Sequence, residues 1–253
     1  MSASRLEPGA TRVDVAFVVA SGENVGSGLA RGLQRAGSRV ALLDDTASKG
    51  DAGEVLRVPL SFGSRTDVMS AFATAVERVG APRLVVQSVL PESLLSPTPI
   101  TDLTPQEWAS VVHGAAKSTL YCLQAAHSNM AQSGGGTIVC VGPSFALVGA
   151  TGLVALSTVL EAQRALVKSA ARQWGRQGIR VHWIALGVGE NYPALAKVSL
   201  PNGPEIGPPP PPLGRIPDLA QDVVSIAEFL ASTGGSGLTG ASLVADGGDW
   251  MVP

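Results

Sequence analysis

Charged and aromatic side chains are scarce in this chain of 253 residues, at 15% and 4% of the total. The formal net charge is -2, and Lys and Arg form no cluster, so the sequence has no electrostatic footprint for nucleic acid or for an anionic membrane. With a mean hydropathy of +0.26, the chain has little charge with which to cover the surface of a monomer. We therefore expect an oligomer.

Cysteine and long hydrophobic runs are also scarce. Cys122 and Cys140 are too few for a disulfide framework and lack the spacing of metal ligands, so no metal site is predicted. The apolar run from Val15 to Ala20 is too short for the core of a signal peptide or for a membrane span. We expect a cytoplasmic protein that associates with neither membranes nor nucleic acid.

Short apolar runs alternate with amphipathic segments along the chain. Their near-continuous hydrophobicity predicts strands in a sheet that is covered on both faces. The alternation of strands and helices predicts right-handed crossovers and one α/β domain, spanning 1–253, with a doubly wound parallel sheet. The predicted strands are 13–20, 39–43, 55–60, 83–89, 137–142, 179–186 and 241–245.

Two local signals mark a helix start and a loop. Thr104 followed by Pro105 and Glu107 has the pattern of a capping box with proline at the first helical position, and it predicts a helix over 105–131. The segment 201–215, PNGPEIGPPPPPLGR, is too rich in proline for a helix or an inner strand. We expect a stiff, extended surface loop there.

A glycine-rich stretch, ASGENVGSGLA, follows the first predicted strand. Ser21, Gly22, Gly26 and Gly28 are candidate cofactor-binding residues, since such glycines permit a tight turn and close approach of a phosphate to a helix N-terminus. Asp44 ends the second strand, where a carboxylate would bind an adenosine ribose and repel a 2'-phosphate. NAD is therefore favoured over NADP. The alternative is that the glycines serve only the turn and the helix packing.

Several segments together resemble the short-chain dehydrogenase/reductase family along almost the whole chain. The resemblance implies a Rossmann-like doubly wound sheet. The segments that carry it are SGENVGSG, LTPQEWASVV, GGGTIVCVG, QGIRVHWIALG and the C-terminal PLGRIPDLAQDVVSIAEFLAS…LTGASLVADGG.

The residues that this resemblance implies for catalysis are missing. Family members use an Asn, a Ser, a Tyr and a Lys, and the matching positions here hold Ala115 (or Ala116), Pro143, Leu156 and Leu160. The two tyrosines, Tyr121 and Tyr192, are each followed four residues later by alanine, so the chain contains no Tyr-x-x-x-Lys. No catalytic residue is therefore predicted.

The cofactor site departs from the family pattern as well. The family's Asn-Asn-Ala-Gly reads QSVL at 87–90, its adenine-contacting Asp falls on Pro59, and the Pro of its Pro-Gly pair is Leu186. The nicotinamide half is thus altered more than the adenine half. We therefore expect NAD in a complex with another subunit, and not bound by this chain itself.

Other titratable or nucleophilic residues have simpler interpretations. His113 lies two residues from the missing Asn and so on a different helix face. His182 falls on an inner strand, where a neutral, hydrogen-bonded imidazole is expected. Ser144 has no base nearby in sequence, and Glu161 is expected on the solvent face of a helix.

The leading functional hypothesis is a non-catalytic subunit that pairs with an active paralogue in an NAD-dependent alcohol or 3-hydroxyacyl-CoA dehydrogenase. The resemblance implies such heteromers, for example in the dehydrogenase of 2-(hydroxybenzyl)succinyl-CoA. We expect the contact to use the helices 105–131 and 153–174. The alternatives are a cyclase or dehydratase that reuses the emptied pocket, a nucleotide-sensing regulator, and a homo-oligomer.

Overall fold

A single parallel sheet of seven strands forms the centre of the protein. The computed structural model describes residues 13–22, 24–45, 55–196 and 211–251. The strand order is β3-β2-β1-β4-β5-β6-β7, and each neighbouring pair is parallel. The strands are β1 Val15–Ala20, β2 Arg39–Asp44, β3 Leu56–Pro59, β4 Leu84–Ser88, β5 Gly136–Pro143, β6 Ile179–Leu186 and β7 Ser242–Ala245. All seven predicted strands are confirmed.

Helices cover both faces of this sheet. α1 and α7 pack on one face, and α2, α4 and α5 pack against one another on the other face. The helices are α1 Asn24–Arg35, α2 Arg65–Val79, α3 Pro105–Trp108, α4 Gly114–Gln132, α5 Val154–Trp174, α6 Pro193–Ala196 and α7 Val224–Ala231. Among the residues described, none of these helices combines the length and hydrophobicity needed to cross a membrane.

The helix predicted after Thr104 starts as expected but is not continuous. Thr104 accepts a hydrogen bond from the Glu107 amide, and the Glu107 carboxylate accepts one from the Thr104 amide, so the capping box is confirmed. A π-helical turn, Ala109–His113, then separates α3 from α4. This wider turn interrupts the regular α-helix between α3 and α4, and the periodicity of the sequence does not reveal it.

The predicted proline-rich loop lies largely outside the described residues, which resume at Pro211. From there the backbone is docked onto the turn after β7, because the Leu213 amide donates to the Gly247 carbonyl at 3.0 Å. The interpretation of 201–210 as a stiff loop therefore stays a prediction.

The strand order reverses direction between β1 and β4. β2 and β3 extend the sheet on one side of β1, whereas β4 to β7 extend it on the other. The loops that leave the carboxyl ends of β1 and β4 consequently diverge and leave a crevice between them. In open α/β sheets this is where ligands bind.

Candidate functional site

The crevice between β1 and β4 contains a small cavity of about 120 Å³. Ser21, directly after β1, lines it, and the Ser21 hydroxyl accepts a hydrogen bond from the Leu90 amide at 2.7 Å. Gly22 and Ser88 also line the cavity, together with Asn191 and Tyr192 from the segment after β6. The candidate cofactor loop and the end of β4 thus share one cavity.

Tyr192 is the largest side chain that lines this cavity, and it is buried. Burial raises the pKa of Tyr192, and the Ser88 hydroxyl acts in the opposite direction. The Tyr192 and Ser88 hydroxyls do not form a hydrogen bond with each other, and the Tyr192 hydroxyl has no hydrogen-bond partner among the described residues. Its neighbour Asn191 is held in place, because the amide nitrogen of that side chain donates to the carbonyls of Gly187 and Pro217.

The three glycines of the loop have structural roles that the geometry explains. Gly22 adopts a φ of +78°, which favours glycine in the turn. A Cβ atom at Gly26 would lie 2.6 Å from the Cβ atom of Ala20, and one at Gly28 would lie 2.9 Å from Leu219 Cδ1. The turn and the packing of α1 therefore account for all three glycines without a ligand.

The amide of the glycine turn is already hydrogen-bonded. The Gly22 N–H donates to a carboxylate oxygen of Asp45 at 3.0 Å. The Asp45 carboxylate thus accepts a hydrogen bond from a backbone amide in the loop that was predicted to bind a phosphate. The sequence offers one signal for this, a second acidic residue immediately after the end of β2.

Asp44 stands at the carboxyl end of β2, as predicted, but its carboxylate is paired. It is only 3% exposed and accepts a hydrogen bond from Arg57 at 3.0 Å. Arg57 also donates to the Ser27 hydroxyl at 3.2 Å. The guanidinium offsets the charge of Asp44 and so weakens the repulsion expected for a 2'-phosphate. Sequence reasoning missed Arg57, although it is the one charged residue in the predicted strand 55–60.

The positions that carry catalysis in the resembled family are part of the apolar core. Leu156 and Leu160 on α5 are both 0% exposed, and Ala115 on α4 is buried too. A Cβ atom at Gly142 would lie 2.6 Å from Leu160 Cδ2 and 2.7 Å from Trp183 Cζ2. Leu160 and Trp183 therefore close over the end of β5, next to the buried Pro143, and leave no polar wall there.

A neutral hydrogen-bonded cluster lies one helical turn beyond Leu160. The buried Gln163 side-chain amide donates to the Val89 carbonyl at 3.0 Å and to the Thr119 hydroxyl at 2.8 Å. It joins α5, α4 and the loop after β4 through groups that do not titrate near neutral pH. Sequence analysis did not find this cluster. Its only signal is a glutamine on the otherwise apolar face of α5.

The remaining sequence candidates do not assemble a catalytic site. Glu161 is on the surface, as predicted, and pairs with Arg164 at 2.6 Å. His113 is exposed. Ser144 is buried, and its hydroxyl has no partner among the described residues and hence no base to activate it.

His182 is neutral, as predicted, but the expected hydrogen bond is wrong. The side chain is fully buried on β6, and neither ring nitrogen has a hydrogen-bond partner within the described part of the chain. Burial, together with the positive charge of Arg180, lowers the pKa of His182 to about 4. The Leu238 backbone opposes this lowering of the pKa, although it makes no hydrogen bond to the ring. The imidazole is a buried core group and does not face the crevice cavity.

A wider groove of about 640 Å³ runs between the loop 97–101 and the segment 149–157, which includes the first turn of α5. The Thr98 amide donates to the Gly152 carbonyl at 2.8 Å and holds the loops together. The groove is lined by Pro, Thr, Ile, Gly, Ala, Val and Ser, with no acidic, basic, histidine, cysteine or tyrosine side chain among the described lining residues. Nor do the described ranges contain a cluster of three or more His, Cys, Asp or Glu fit for a metal ion.

Comparison with known proteins gives full-length matches. A family model described as enoyl-(acyl carrier protein) reductase matches residues 19–249. The chain is 28% identical to the (3R)-3-hydroxyacyl-CoA dehydrogenase of Mus musculus, with 95% of this chain and 97% of the mouse protein aligned. It is also 28% identical to a 4-formylbenzenesulfonate dehydrogenase of Comamonas testosteroni, with 92% and 96% aligned.

Solved structures with the same architecture include two that hold a dinucleotide. A 3-ketoacyl-(acyl-carrier-protein) reductase from Brucella melitensis, complexed with NADH, superposes with a TM-score of 0.76 at 19% identity, covering 94% of this chain and 99% of the other. A short-chain dehydrogenase from Leptospira borgpetersenii with bound NAD+ gives 0.73 at 20% identity, covering 99% of each. At these identities the likeness establishes the fold.

Proposed function

The chain belongs to the short-chain dehydrogenase/reductase family, and we propose that it is a non-catalytic subunit that pairs with an active paralogue of the same family. The observation that carries this proposal is the complete burial of Leu156 and Leu160 at the family's Tyr and Lys positions. Carbonyl or alcohol chemistry needs a group that exchanges a proton near neutral pH. Two leucines in the apolar core cannot supply one.

The replacement also has a stabilising consequence for the scaffold. An unpaired ammonium or phenol at a buried position carries a desolvation cost, whereas leucines packed beside Trp183 carry none. A subunit that has lost its chemistry can thus keep a firm core for assembly. Such a core suits a role in completing a quaternary structure.

The other two functions have less support. A cyclase or dehydratase needs an acid or a base beside its substrate, and the described lining of the 640 Å³ groove offers neither. A nucleotide-sensing regulator needs an open anion site, whereas the Gly22 amide is bonded to Asp45. We therefore place NAD in the proposed complex on the active paralogue.

The proposed contact uses the outward faces of α4 and α5. The apolar stripe of α5 is directed mainly into the chain's own core, because positions 156, 159, 160, 167 and 170 are buried. Ala155 and Ala162 are partly exposed and Ala165 is exposed, so they form a face of small residues on the solvent side. We propose that this face packs against a partner helix pair and buries at least about 1,000 Å² in total.

Turnover and assembly are measured separately. The purified chain alone is assayed with NAD(H) and NADP(H) at 340 nm, and we expect no turnover above background. Co-expression with a paralogue that has an intact Tyr-x-x-x-Lys, followed by light scattering and native mass spectrometry, should give a mixed dimer or tetramer with activity.

Two matched variants locate the contact. Ala165→Arg should abolish the mixed assembly, whereas Ala73→Arg, at an exposed alanine on α2, should leave it intact. Steady turnover that scales with this chain, or a monomer in the presence of every paralogue tested, would contradict the proposed function.

A further inference from the structure

Groups of the chain itself stand at three places where a dinucleotide would bind: the end of β2, the glycine turn and the β1–β4 crevice. The crevice is the place where the topology puts a dinucleotide. Arg57 engages the Asp44 carboxylate, Asp45 engages the Gly22 amide, and Tyr192 lines the cavity that remains. The three groups come from β3, from the turn after β2 and from the segment after β6.

The space between β1 and β4 is narrow, whereas a groove of about 510 Å³ beside Asp44, Asp45 and Pro59 stays open at the end of β2. The cavity measures about 120 Å³, whereas pockets for drug-sized ligands occupy roughly 300–1,000 Å³. Its walls are fixed by hydrogen bonds, since Ser21 is tied to Leu90 and Asn191 to two backbone carbonyls. Tyr192 packs in the hydrophobic core, and its hydroxyl has no hydrogen-bond partner among the described residues. Displacing the ring therefore costs its apolar packing but breaks no side-chain hydrogen bond.

The electrostatics at the glycine turn point the same way. A pyrophosphate that approached the Gly22 amide would have to displace the Asp45 carboxylate and would be repelled by it. That hydrogen bond is exposed to solvent, so its contribution is modest compared with that of a buried ring. The residues present thus do not fit a bound dinucleotide in this arrangement.

We propose that the chain obstructs its own dinucleotide crevice, with the Tyr192 ring as a wall that narrows the cavity between β1 and β4 and Asp45 bonded to the glycine turn, so that NAD binds only when both side chains are displaced. The proposed obstruction concerns the binding of NAD and not turnover. It can be wrong while the proposed subunit function is right, and it can be right while the proposed subunit function is wrong.

Calorimetric titration with NAD tests the role of the ring. Tyr192→Ala and Tyr192→Ser should bind NAD at least about 10- to 100-fold more tightly than the unmodified chain, since a buried ring no longer has to be expelled. Tyr121→Ala, at the only other tyrosine, is the control and should bind as weakly as the unmodified chain. Circular dichroism and melting curves confirm that each variant is folded.

A second variant and a second measurement cover the glycine turn and the intact protein. Asp45→Asn should tighten the binding of ADP, used as a pyrophosphate probe, by about threefold to tenfold. Labelling with 3-fluorotyrosine gives two ¹⁹F signals, and the one that remains in Tyr121→Phe belongs to Tyr192. Millimolar NAD should shift that signal.

Three results would overturn the proposal. One is tight NAD binding by the unmodified chain with an unmoved Tyr192 signal. Another is continued exclusion of NAD by folded Tyr192→Ala and Tyr192→Ser. The third, if both of those variants fail to fold, is unchanged ADP binding by the folded Asp45→Asn variant.

Discussion

Replacing Leu160 by lysine restores the residue type that the family pattern has at this position. In an open polar pocket the change would be tolerated, because the ammonium could reach water or a ligand. In this structure Leu160 is 0% exposed and closes over Gly142 beside Trp183. The change therefore distinguishes a core position from a pocket wall.

The size of the effect follows from burial. Loss of the leucine packing alone, as in Leu160→Ala, costs about 2–5 kcal/mol of the free energy of unfolding. A lysine must also be buried, either charged or deprotonated, and a pKa lowered by several units costs about 1.4 kcal/mol for each unit. We expect Leu160→Lys to lose at least about 4 kcal/mol, and Leu160→Met, which keeps the volume, to lose less than about 1.5 kcal/mol.

Urea unfolding followed by fluorescence of the four tryptophans measures these losses. The pH dependence supplies a second test, because a buried lysine has a lower pKa folded than unfolded. The unfolded state then binds more protons, so the stability of Leu160→Lys should rise between pH 7 and pH 10 relative to that of Leu160→Met. A loss below about 1 kcal/mol without this rise would refute the core assignment.

Three further changes test other parts of the structure. The pKa of His182 is lowered to about 4, which is below its unfolded value. The free energy of unfolding should therefore have its full value above pH 6.5 and fall by about 2 kcal/mol as the pH drops to 4, after allowance for solvent screening. NMR titration of the three histidines checks this, and a normal pKa at His182 would contradict it. Gly26→Ala, whose Cβ would lie 2.6 Å from that of Ala20, should lose about 1–3 kcal/mol of the free energy of unfolding measured in urea. The control Gly114→Ala, with no atom within 4 Å of the new Cβ, should gain up to about 1 kcal/mol. Equal effects of the two changes would show that packing does not require Gly26. Glu161→Ala should change the free energy of unfolding by no more than about 0.5 kcal/mol. A loss above about 2 kcal/mol would show that the ion pair with Arg164 contributes substantially to stability.

The sequence by itself determined the architecture and showed which residue types stand at the positions that match the family's catalytic residues. Strand positions follow from runs of neighbouring apolar residues, and the start of α3 follows from Thr104 and Glu107, three residues apart. Both are local patterns, which a linear reading detects. The absence of a Tyr-x-x-x-Lys is a matter of residue identity, so no structure was needed to find leucine at 156 and 160.

Only the tertiary structure decided how the crevice is filled. Asp45 reaches Gly22 across 23 residues, and Arg57 reaches Asp44 across 13, because parallel strands bring their carboxyl ends to the same edge of the sheet. Tyr192 lines the same cavity as the glycine loop because β6 ends at the same edge of the sheet as β1. Side-chain partners across such distances depend on packing and register, and local periodicity does not encode them. For the same reason His182 was recognised as neutral, while its lack of a hydrogen-bond partner emerged only from the neighbours that surround β6.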